Sequence, residues 1–117
     1  MEARLKTSIF YVGGLDDYGL LPEASPINYV ARVRIPILML NGKYDMEFPY
    51  ETKAKPMFDL LGTPKDQKVQ KLYNTDHYIP RNELIKETLA WLALGADVRG
   101  PLATRSIRCR PHAGGEL

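Results

Sequence analysis

Short apolar runs alternate along this chain with segments of helical period. Thr7-Ser8-Ile9-Phe10-Tyr11-Val12 is such a run, closed by Gly13-Gly14, and reads as a buried strand over 7–12. A loop, LDDYGLLPEASP, follows, and residues 26–31 have the makings of a short helix. Pro36-Ile37-Leu38-Met39-Leu40 and Asn41 form a second strand, 36–41. Asn41-Gly42 suggests a two-residue hairpin turn, but no alternating strand follows, so the hairpin reading loses. A helix is predicted over about 52–61, with Thr52 as N-cap, Pro56 in the first turn and Ala54, Met57, Phe58 and Leu61 as its apolar face. Gly62 stands where a C′ residue belongs, with Pro64 beyond it. Residues 68–73, KVQKLY, give a third strand, less apolar and nearer an edge. The clearest helix spans about 81–94, with Leu84, Ile85, Thr88, Leu89 and Leu92 predicted to share one face.

Strand, crossover, strand, helix, strand, helix predicts an α/β fold: a parallel sheet of about three strands with helices on its faces. In such sheets ligands and chemistry gather at the carboxyl ends of the strands. Here those ends carry Gly13-Gly14, residues 41–49 and residues 74–80.

Composition narrows the picture. The length of 117 residues suits one domain, and no apolar run approaches the roughly 20 residues of a membrane helix. The apolar stretch near the N-terminus is too short for a signal-peptide core. One cysteine, Cys109, excludes an internal disulfide framework and fits a reducing cytoplasm. Residues 1–94 hold twelve Lys/Arg and twelve Asp/Glu, so the net charge of +2 comes from the last 23 residues. Residues 95–117 are expected to be a flexible basic tail on a domain spanning 1–94; four scattered arginines without aromatics argue against nucleic-acid binding. Cys109, His112 and His77 lack metal-ligand spacing, and GGLDDYG is not a dinucleotide fingerprint, so neither metal nor cofactor is expected.

The candidate chemistry lies in two loops. Asp45, in NGKYDMEFP, follows the second strand; His77, in NTDHYIP, follows the third. Adjacent parallel strands would bring this carboxylate and imidazole to one rim, where the acid could fix the tautomer of the base. Glu47 and Asp76 are alternative carboxylate partners, and Tyr44 and Tyr78 flank the expected pocket as candidate substrate-binding residues. Trp91 is expected in the core or at an interface.

At these positions the chain resembles the C-terminal half of an α/β-hydrolase, of the bacterial esterase-like kind. VRIPILMLNGKYDMEFP is similar to that fold's penultimate strand and acid loop, and QKLYNTDHYIPRNELIKETLAWL to its last strand, histidine loop and closing helix. The resemblance covers about residues 7–94. It implies Asp45 as triad acid and His77 as triad base. It also implies what is missing: there is no G-x-S-x-G nucleophile elbow, and Ser8, Ser25 and Ser106 lie in no strand-turn-helix context. Asp76 stands where the family usually has glycine before the histidine.

The sequence therefore points to a truncated α/β-hydrolase-like domain without hydrolysis of its own, with a small molecule as ligand at the strand ends. The alternative is an esterase-type hydrolase using Asp45 and His77 with a nucleophile from a partner chain or water. A strand over 7–12 with no charge or proline inside it would be an open sheet edge, so a homodimer pairing this edge with its own copy is expected.

Overall fold

The computed structural model describes residues 4–16 and 19–95. Apart from Gly95, the tail expected over 95–117, with Ser106, Cys109 and His112, lies outside the described residues. Three parallel strands form one sheet in the order β1-β2-β3: β1 (Ser8–Tyr11), β2 (Ile37–Gly42) and β3 (Lys68–Tyr73). Helices α1 (Ile27–Val30), α2 (Lys55–Leu60) and α3 (Arg81–Gly95) cover the two faces. This is the α/β arrangement that the alternation of apolar runs predicts. No helix among the described residues is long and apolar enough to cross a membrane.

The central strand explains its own composition. All six residues of β2 are buried, because a parallel strand between two neighbours and two helical layers has no wet face. Leu38 and Leu40 point to one side and join Val12, Ile79 and Trp91, with Ile9, Val69, Tyr73 and Leu84 packed around them. Ile37 and Met39 point to the other and join Val30, Ala54 and Leu61, with Phe10, Met57 and Phe58 alongside. The predicted apolar face of the helix before β3 (Ala54, Met57, Phe58, Leu61) is thus the one that packs.

Three local expectations change. Thr52 is not an N-cap: the chain enters its helix at Pro49 through a widened π turn over Tyr50–Ala54, in which Lys55 N–H bonds the Tyr50 carbonyl. The wide turn lies one turn ahead of Pro56, where an ordinary α turn would press the proline ring on the Thr52 carbonyl. Gly62 is not a left-handed cap. It is required by close approach, since a Cβ there would lie 2.1 Å from the Ala31 carbonyl oxygen. On α3, Leu84 and Trp91 face the sheet, whereas Ile85, Leu89 and Leu92 are exposed. The stripe expected to be one face is split, because the sheet beneath α3 is only three strands wide.

Two anchors fix α3. Trp91 Nε1–H donates to Thr7 Oγ1 at 2.8 Å, just before β1, and Lys71 on β3 pairs with Glu87. At the far end of β1, Val12 takes φ +46°, an unusual conformation for a β-branched residue that costs on the order of 1–3 kcal/mol. Burial of its side chain beside Leu38 and Leu40 offsets that strain. The bend ends β1 and turns the Gly13 carbonyl towards the next strand, where it accepts from Asn41 Nδ2 at 2.9 Å.

Candidate functional site

Register brings the two loops together. Gly42, the last residue of β2, pairs with Tyr73, the last of β3, so the Asp45 and His77 loops leave the sheet side by side. Backbone bonds stitch them: Lys43 N–H to the Tyr73 carbonyl at 2.8 Å and Tyr44 N–H to the Thr75 carbonyl at 2.9 Å. Gly42 permits the contact. A Cβ there would sit 1.8 Å from the Asp76 carbonyl oxygen and 2.7 Å from that of Thr75, so no side chain fits beneath the histidine loop.

Within this frame the carboxylate and the imidazole meet. Asp45 Oδ2 lies 2.9 Å from His77 Nδ1, while Oδ1 accepts the backbone N–H groups of Glu47 (2.8 Å) and Phe48 (2.9 Å). The Asp45 side chain is 0% exposed. Burial alone would push its carboxyl upward, but the N–H of Phe48, the His77 ring and the N–H of Glu47 together hold it below the usual carboxylate value. A charged Asp45 is thus built into the loop by three donors.

His77 is 30% exposed, and its affinity for a proton is raised. The Asp45 hydrogen bond is the largest cause, opposed by partial burial and reinforced by the charges of Asp45, Glu47 and Asp76. With Asp45 accepting at Nδ1, the chemistry of the ring falls to Nε2. That nitrogen faces Glu47 Oε2 at 3.3 Å. An imidazole hydrogen-bonded to one carboxylate and facing the charge of a second favours its doubly protonated form, which is a poor general base.

Aromatic rings wall the pair. Phe48 stacks on His77 with centroids 6.0 Å apart and planes 24° from parallel, and Tyr78 meets it edge-on at 5.8 Å. Of the two tyrosines expected to flank the pocket, Tyr78 lies against the histidine. The Tyr44 ring is exposed and lies under the Lys43 ammonium. Asp76 Oδ1 accepts the Tyr78 N–H at 3.0 Å, a local turn that holds the loop around His77. Tyr11, at the end of β1, accepts the Ile79 N–H on its hydroxyl at 3.3 Å and so ties the same loop to the strand at the opposite edge of the sheet.

Phe48, Tyr11 and the polar ladder beneath the site are contributors that sequence reasoning missed. Asn41 is fully buried; its Nδ2 bonds Gly13 and its Oδ1 accepts from Gln70 Nε2 at 3.0 Å, so all three strands are cross-linked just below the loops. The available signal was an amide closing an otherwise apolar run, since a buried amide requires partners on both sides.

The serines stand elsewhere: Ser8 begins β1, and Ser25 is buried in the loop before α1. Among the described residues no group of three His, Cys, Asp or Glu side chains is arranged to hold a metal ion. Comparison with family models, curated proteins and solved structures gave no match.

Proposed function

We propose that this chain is an α/β-hydrolase-like domain that retains the acid and base of a triad but does not hydrolyse esters by itself, and that it binds a small molecule at its strand ends. The observation that carries the reading is the placement of His77: Nδ1 on buried Asp45 at 2.9 Å, Nε2 on Glu47 at 3.3 Å rather than on a hydroxyl. A triad needs a nucleophile at Nε2 and donors for the oxyanion. Here a carboxylate occupies the first place. The ligand class follows from what can displace Glu47, whose side chain is 64% exposed and held by little else: a hydrogen-bond acceptor for Nε2–H, attached to a planar or apolar group that lies against Phe48 and Tyr78. The single cysteine and the neutral body suit the cytoplasm as its compartment.

The second reading is an esterase-type hydrolase whose nucleophile comes from water or a partner chain. It draws on the same 2.9 Å Asp45–His77 bond, which is the contact a triad requires. A panel of activated esters, assayed with wild type and His77→Ala, separates the two. Equal background rates are expected; hydrolysis that disappears with His77 would overturn the non-hydrolytic reading.

A further inference from the structure

Among the described residues, two features without a partner lie on the same side. The first is the outer edge of β1. Ser8 N–H bonds Pro36 and Val12 N–H bonds Leu40, so the alternate residues Ile9 and Tyr11 direct their backbone groups away from the sheet. This edge has no charge, proline or bulge across Ser8–Tyr11 to discourage pairing. The second is the exposed stripe of Ile85 (45%), Leu89 (63%) and Leu92 (48%) on α3.

The position of the stripe follows from helix geometry. Glu87 reaches β3 through Lys71, so one flank of α3 faces that edge of the sheet. At 3.6 residues per turn, Leu92, Ile85 and Leu89 lie roughly 140°, 160° and 200° around the helix from Glu87, with Leu84 and Trp91 between and facing the sheet. The stripe therefore overhangs β1, and Trp91 reaches Thr7 on that side. Glu83, Lys86 and Glu87 all fall on other flanks, leaving the stripe free of charge from Ile85 to Leu92.

We propose that this side is the interface of a two-fold homodimer. One axis, perpendicular to the sheet beside β1, pairs β1 with its own copy in antiparallel fashion and continues the sheet to six strands. Because that operation keeps each helix on its own face of the sheet, it also sets the two α3 helices side by side and antiparallel. Leu89 then meets the copy's Leu89, and Ile85 meets the copy's Leu92. A charged or unrelated partner would satisfy the strand edge or the stripe; a second copy satisfies both with one operator.

The area agrees. At exposures of 40%, 45%, 63% and 48%, Tyr11, Ile85, Leu89 and Leu92 offer roughly 400 Å² per copy, at most about 800 Å² for the pair, so strand backbone must supply the remainder of the ~1,000 Å² that a specific interface needs.

Light scattering on the full chain at micromolar concentration should give twice the chain mass. Leu89→Glu should return it to the chain mass with an unchanged circular dichroism spectrum, since Leu89 is 63% exposed and belongs to neither core cluster. Leu60→Glu, a similarly exposed position on α2, should leave the dimer intact. If Leu89→Glu fails to fold, the milder pair Leu89→Ser and Leu92→Ser carries the same test. Hydrogen exchange should show Ile9 and Tyr11 amides protected in the dimer and unprotected in the Leu89→Glu monomer. A monomeric wild type, a dimer indifferent to the stripe variants, or a dimer with unprotected Ile9 and Tyr11 amides would each overturn the proposal.

Discussion

Gly42→Ala is the most incisive single change to the site. The added Cβ would lie 1.8 Å from the Asp76 carbonyl oxygen and 2.7 Å from that of Thr75, and both are backbone atoms that no rotamer can move aside. Reaching even 3.0 Å requires the His77 loop to retreat by about 1.2 Å, the difference between the two distances. The 2.9 Å bond to Asp45 does not survive a shift of that size. Two costs follow: overpacking, about 1–3 kcal/mol, and a buried carboxylate that loses its charged donor, about 1.5–3 kcal/mol. Their sum, about 2.5–6 kcal/mol, is a large part of the ~5–15 kcal/mol that holds a small domain. In urea the midpoint should fall by roughly 2.5–6 M for a slope near 1 kcal/mol/M. Gly13→Ala is the internal control, since its Cβ would meet only Phe10 Cβ at 3.8 Å. A loss below about 0.5 kcal/mol in Gly42→Ala, no larger than in Gly13→Ala, would refute the account of how the loops are held together.

Other changes should separate scaffold from site. Gly62→Ala should cost about 1–3 kcal/mol in urea melts, because its Cβ would meet the Ala31 carbonyl at 2.1 Å, while leaving the titration of His77 unaltered. Asn41→Ala strips the partners of the Gly13 carbonyl and the Gln70 amide, and denaturation should report a loss of about 2–4 kcal/mol. Stability should also depend on pH through His77. The folded state holds this proton more tightly than the unfolded chain, whose value is 6.5. Its contribution is therefore complete below about pH 6.5 and is lost as pH rises through the raised folded-state value. His77→Gln should flatten that decline, and an unchanged slope would contradict the Asp45 pairing. Asp45 acts in the other direction: its stabilisation is present above 3.8 and disappears as pH falls through its lowered folded-state value.

Much of this was legible in the chain itself. β2 announces itself as a continuous apolar run because it is buried on both faces, and the order of runs and helical segments is enough to give a parallel sheet. Asp45 and His77 could be placed on one rim because each follows a strand and the strands pair in register. What escaped depends on approach distances rather than on periodicity. Gly42 read as the end of an apolar run and Gly62 as a cap, but their function is to admit another segment's carbonyl, which no local pattern encodes. The divided face of α3 was illegible for a similar reason: a helical stripe specifies apolar positions, not how wide a sheet lies beneath them. Glu47 at Nε2 depended on the turn from Asp45 to Phe48, in which Asp45 Oδ1 accepts the Glu47 and Phe48 N–H groups.

The central claim is that this chain alone assembles a charged Asp45 against a proton-holding His77. Long-range ¹H–¹⁵N spectra of wild type and Asp45→Asn across the pH range test it directly. Folded wild type should titrate at His77 above 6.5, with Nδ1 protonated throughout, and Asp45→Asn should lower that midpoint. A His77 that titrates at or below 6.5 in the wild type, indifferent to Asp45→Asn, would contradict it.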